Sequence, residues 1–89
     1  MKTQYFEFGE VHMTQGVQED LEMEEVFKLL QWHGQLNKGL LNEDDQNANW
    51  YALKHNGRIV SHYLMHNEHY YVITEHDRSY TTVMRTEEY

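Results

Sequence analysis

The chain has no cysteine, no proline and only five glycines, and nowhere does it approach the roughly 20 consecutive apolar residues of a membrane-crossing helix. Without thiols, neither a disulfide framework nor a thiolate zinc site can stabilise it, which excludes the usual build of a small secreted scaffold. Stability must come from burial, and 89 residues support one modest core, because small chains bury a smaller share of their surface on folding. A single domain over residues 1–89 is expected, with no large internal substrate cavity. No repeat or low-complexity linker marks a boundary. The opening Met1-Lys-Thr-Gln-Tyr-Phe-Glu-Phe8 carries no apolar run long enough for a secretory signal, so a cytoplasmic setting away from membranes is expected.

Basic residues are also scarce. Seven Lys and Arg stand against fifteen Asp and Glu, for a net charge of −8. That balance repels a phosphate backbone and argues against direct nucleic-acid binding. Residues 1–50 hold ten of the acids against Lys2, Lys28 and Lys38. The acidity therefore belongs to the segments whose pattern is helical.

Period-2 alternation over Tyr5–Thr14 predicts a strand whose phase slips at Gly9, where a bulge or bend is expected. Thr14 is a candidate helix cap. Val17 and Leu21 form one apolar pair at helical spacing, and Met23, Val26, Phe27 and Leu30 a second on another face. Two short helices, or one kinked helix ending near Gly34, would accommodate both. Asn42 caps a further helix through about His55, with Glu43, Asp44 and Asp45 in its first turn, favourable to the helix dipole. Arg58–His66, His69–Glu75 and Tyr80–Thr86 are rich in β-branched and aromatic residues and predict a three-strand meander. The expected fold class is α+β, in the order β-α-(α)-α-β-β-β, an antiparallel sheet with helices on one face.

Several clusters could carry function. Thr74, Glu75, Asp77, Arg78 and Ser79 crowd between two apolar strands. Glu75, Asp77 and Arg78 could form charge-assisted hydrogen bonds to a partner, or simply build a hairpin turn. Ser79 lies three residues from His76, but the spacing orders no catalytic triad. Five of the seven histidines fall between His55 and His76. If Asn67-Glu68 formed a two-residue turn, His62, His66 and His69 could share a sheet face and ligate a metal such as zinc or nickel. Tyr63, Tyr70, Tyr71, Tyr80, Trp32, Trp50 and Tyr51 divide between core and interface anchors, with Trp50 and Tyr71 the candidates for partner contact. Glu19, Asp20 and Glu24, with Glu43, Asp44 and Asp45, form either a solvated surface or a negative docking face.

The run Val72-Ile-Thr-Glu-His-Asp-Arg-Ser-Tyr-Thr-Thr-Val83 and the closing Glu87-Glu-Tyr89 resemble a family of small uncharacterised proteins carried on bacterial plasmids and other mobile elements. The resemblance extends weakly through Arg58–Tyr63, Asn49–Leu53 and the Thr14-Gln-Gly16 stretch. It departs between the helices, where the family carries Gly-Asp-Trp-Gly and this chain has Gly34-Gln-Leu-Asn-Lys-Gly39. The resemblance implies a phage or plasmid setting. With the acidic surface, it leads to the expectation of a non-catalytic, cofactor-free binding protein of the anti-CRISPR or anti-restriction kind. Such a protein would evade host defence by occluding a host protein or nucleoprotein complex. The alternatives are a homodimeric accessory module of a mobile element and a small metal-dependent hydrolase.

Overall fold

A computed structural model describes residues 4–89. The element order is β1 (Glu10–Met13), α1 (Gln15–Asp20), α2 (Met23–Gly34), α3 (Glu43–His55), β2 (Ile59–Met65), β3 (Glu68–Thr74) and β4 (Tyr80–Arg85), closed by a 3-10 turn at Thr86–Glu88. This is the α+β order expected, with two separate helices before the loop.

The sheet differs from expectation in one pairing. Its strand order is β1-β4-β3-β2, and β1 runs parallel to β4, with Val11 opposite Thr81 and Met13 opposite Val83. The meander β2-β3-β4 is antiparallel as expected, so the sheet is mixed. The first strand is also shorter than its alternation suggested. Gly9 adopts φ +66°, and a Cβ there would lie 2.3 Å from the Ser79 carbonyl oxygen. The chain therefore turns hard against the β3–β4 hairpin before the ladder starts. The preceding aromatics become core pieces instead, with Phe6 buried and the Tyr5 amide bonded to the Gly34 carbonyl at 2.9 Å.

Separation of α1 from α2 follows from the misaligned apolar pairs. Thr14 caps α1 by accepting the Val17 amide, and Leu21 is extended. The chain then restarts at Glu22, whose amide donates to the Glu25 side chain at 2.9 Å. This break lets Val17 and Leu21 face the same core as Val26, Leu29 and Leu30, against Tyr63, Tyr70, Val72 and Val83 of the sheet. Each such aliphatic side chain contributes about 1.5–3 kcal/mol on burial. Met23 and Phe27, read as part of this stripe, point outward instead, at 49% and 60% exposure.

Helix α3 closes the other end. Asn42 accepts the Asp45 amide at 2.8 Å, and Asn56, in the left-handed conformation at φ 55°, ends the helix. Ala52 and Ile59 join Phe6 and Leu36 in a second small core. The buried Asn49 carboxamide then bonds both main-chain groups of Val60, accepting from its amide at 3.1 Å and donating to its carbonyl at 2.8 Å. The Leu40 amide donates to His62 O at 2.9 Å. Edge strand β2 is thus sealed by side chain and loop.

Candidate functional site

Glu75, Asp77 and Arg78 are brought together, but they turn toward their own chain. Asp77 Oδ1 accepts the Ser79 amide at 3.0 Å and the Ser79 hydroxyl at 2.6 Å. The Ser79 hydroxyl and amide hold the Asp77 carboxyl below its ordinary value. Arg78, at φ 60°, sends Nη1 to the Gly57 carbonyl at 2.6 Å and the Glu75 carbonyl at 3.1 Å, and Nη2 to the Ala52 carbonyl at 3.2 Å. Its guanidinium also stands 5.7 Å from the Phe6 ring centre. A cation at the carbonyl end of α3 is favoured by the helix dipole. Arg78 therefore fastens the β3–β4 turn to α3. Glu75 pairs with Arg58 at 3.4 Å rather than with Arg78.

The acidic residues divide. Asp20 forms a two-point pair with Arg85, Nε to Oδ2 and Nη2 to Oδ1 both at 2.7 Å, and also accepts the Tyr70 hydroxyl at 3.0 Å. The Arg85 hydrogen bonds hold the Asp20 carboxyl below its usual range, and burial first, then Asp20, pushes the Tyr70 hydroxyl up to about 12. This cluster joins α1 to the end of β4. Glu19 lies 3.7 Å from Arg85 at an exposed position. Glu24, Glu43, Asp44 and Asp45 are exposed and make no ion pair among the described residues. Trp50 lies further along α3 than these acids, edge-on to Tyr5 at 5.3 Å.

The three histidines read as one metal set do not converge. The hairpin turns at His66-Asn67, both at positive φ, and Met65 faces Glu68. This is the backbone of a type I′ turn rather than a turn at Asn67-Glu68. His66 leaves the strand and hydrogen-bonds Glu25 on α2. His62 and His69 remain as diagonal neighbours, with His62 Nε2 and His69 Nδ1 3.0 Å apart. Burial, then the neighbouring His69, lowers the His62 pKa. Tyr71 packs edge-on to both His62 and Tyr89. These rings, with Arg58, Asp45 and Asn49, line a shallow cleft of about 350 Å³ between α3 and the outer sheet face.

A buried polar chain escaped the sequence reading. His33 on α2 is fully buried, with Nδ1 2.7 Å from Ser61 Oγ and Nε2 2.8 Å from Thr74 Oγ1. Thr74 Oγ1 is 2.6 Å from Thr81 Oγ1, which donates to the Phe8 carbonyl at 2.8 Å. The direction of every bond follows from the one hydrogen each hydroxyl owns. Thr81 gives its hydrogen to Phe8, so Thr74 must donate to Thr81 and can only accept from His33. His33 is therefore the neutral tautomer protonated on Nε2, and its Nδ1 accepts from Ser61. Burial drives the His33 pKa down to about 3, with Arg78 adding to the shift. Period-2 spacing places Ser61, Thr74 and Thr81 on the inward face, but only the register shows that they meet His33.

The chain matches no family model, no curated protein and no solved structure.

Proposed function

We propose that this is a small acidic binding protein without catalysis of its own, acting in the cytoplasm. It would occlude a basic, nucleic-acid-handling surface of a host defence complex in a phage or plasmid setting. The observation that supports it is the set of exposed carboxylates of Glu24, Glu43, Asp44 and Asp45, which find no ion-pair partner among the described residues. Asp20, Glu25 and Glu75 fasten the fold, whereas these four make no ion pair among the described residues. Three of them sit on the first turn of α3, a helix that also carries the exposed Trp50 further along. Complementary charge of this kind accelerates association and is sensitive to salt.

The test is displacement. Labelled nucleic acid bound to purified nucleases and other defence enzymes is titrated with the protein. Release is expected at about 50 mM salt, weakening about tenfold or more by about 300 mM. The triple change Glu43→Lys, Asp44→Lys and Asp45→Lys is expected to abolish it while the fold persists. No release from any enzyme at low salt overturns the reading.

A second reading, a homodimeric accessory module, is supported by the contrast between the sheet edges. Asn49 and Leu40 seal β2, whereas Val11 on β1 is exposed at the opposite edge. Light scattering with size-exclusion chromatography separates the two, since only the module requires a dimer at micromolar concentration.

A further inference from the structure

We propose that His62 and His69 form a two-imidazole site for a late first-row divalent metal ion, with Cu2+ held most tightly and Ni2+ and Zn2+ more weakly. The sheet itself builds the pair. His62 lies opposite Tyr71 and His69 opposite Leu64, so both rings rise from the same face on neighbouring strands. Ligands each about 2.0–2.1 Å from one ion and about 90–110° apart stand roughly 2.9–3.4 Å from one another. The 3.0 Å between His62 Nε2 and His69 Nδ1 falls inside that window, so an ion could enter without moving either strand.

The proton now shared between the rings can transfer to the far nitrogen of its own ring by a change of tautomer, freeing both facing lone pairs. The Tyr71 ring, 5.3 Å from His62, steadies one side. A net charge of −8 concentrates cations around the molecule. No set of three or more histidine and carboxylate donors gathers among the described residues. The remaining coordination positions are therefore open to water or to ligands from a second molecule. Imidazole-only coordination selects the late metals over magnesium or calcium, and the order of affinity follows the general rise to copper.

The experiment uses the intact, metal-stripped chain titrated calorimetrically with CuCl2, NiCl2 and ZnCl2, with thermal melts in parallel. The expected result is saturable 1:1 binding with copper tightest. The melting midpoint should rise by roughly 5 °C or more at saturating ion and fall back with chelator. His69→Gln and His62→Asn should each weaken binding at least tenfold, whereas the control His76→Gln leaves it unchanged. Copper EPR should show two coupled imidazole nitrogens, lost in His69→Gln. Absence of saturable binding up to about 1 mM ion overturns the proposal, as does binding of wild-type strength in both His69→Gln and His62→Asn.

Discussion

Two polar side chains, His33 and Arg78, tie separate elements of the fold together. His33 carries no candidate role in the sequence, yet it organises four hydroxyl and carbonyl partners across α2 and three strands. Its protonation would turn Nδ1 into a donor and strand the Ser61 hydroxyl. The folded-state pKa of about 3 lies below the 6.5 of the free side chain, so the unfolded chain binds the extra proton first. Stability is then fully present above about pH 6.5 and falls at up to ~1.4 kcal/mol per pH unit as pH drops toward 3. Urea denaturation at pH 7 and pH 5 should differ by about 2 kcal/mol. Over this interval carboxylates remain mostly ionised, so His33→Asn, though less stable, should show a much flatter profile. Arg78 makes the converse point. Its place in a dense polar run suggested a recognition loop, but its guanidinium spends its donors on carbonyls of Gly57, Glu75 and Ala52. Arg78→Ala should cost about 2–4 kcal/mol by leaving the end of α3 unfastened, read as a lower urea midpoint. An unchanged midpoint would return Arg78 to the list of recognition residues.

At the level of elements, what was legible followed local rules. The Asn42 cap, the acidic first turn of α3, its end near His55 and the three meander strands depend on residues within a few positions of one another, and each lies where its pattern places it. The turn at His66-Asn67 was misplaced by one residue because Asn67-Glu68 and His66-Asn67 carry nearly the same composition signal. That single step took His66 out of the strand and into the turn, at φ 53°, where its ring reaches Glu25 on α2 instead of the face of His62. Asn49 was invisible for a different reason. A helical asparagine reads as surface until a sheet edge is placed against it, and its two bonds to Val60 exist only in the tertiary structure. Asn49→Ala should cost about 2–3 kcal/mol, because it strips partners from a strand amide and a carbonyl at once. Asn49→Asp should be worse, since a carboxylate oxygen would face the Val60 carbonyl. Chemical denaturation of both variants checks the order, and equal or reversed losses would contradict the edge-sealing role.

For the whole molecule, no local pattern encodes that β1 lies beside β4, or that it lies parallel. The pairing joins residues about 70 positions apart in sequence, and it depends on Gly9 allowing the chain to pass against Ser79. The consequence is an asymmetric sheet. Strand β3 is paired on both sides and β2 is sealed by α3, whereas β1 is four residues long and pairs with no described strand but β4. The amides of Glu10 and Thr14 reach the Ser79 and Val83 carbonyls at 3.0 and 3.2 Å, so strand alternation turns the Val11 amide outward. Regions with few partners open at lower free energy than the core. In dilute protein, hydrogen exchange should be slowest at Val72 and Ile73 and nearly unprotected at Val11, with His12 between. Raising the concentration decides what the open edge is for. If β1 pairs with a second copy, Val11 gains protection in step with dimer formed while Val72 does not change. If the molecule acts alone through its carboxylates, Val11 stays fast at every concentration, and protection there would instead require a partner whose chain adds a strand to this edge.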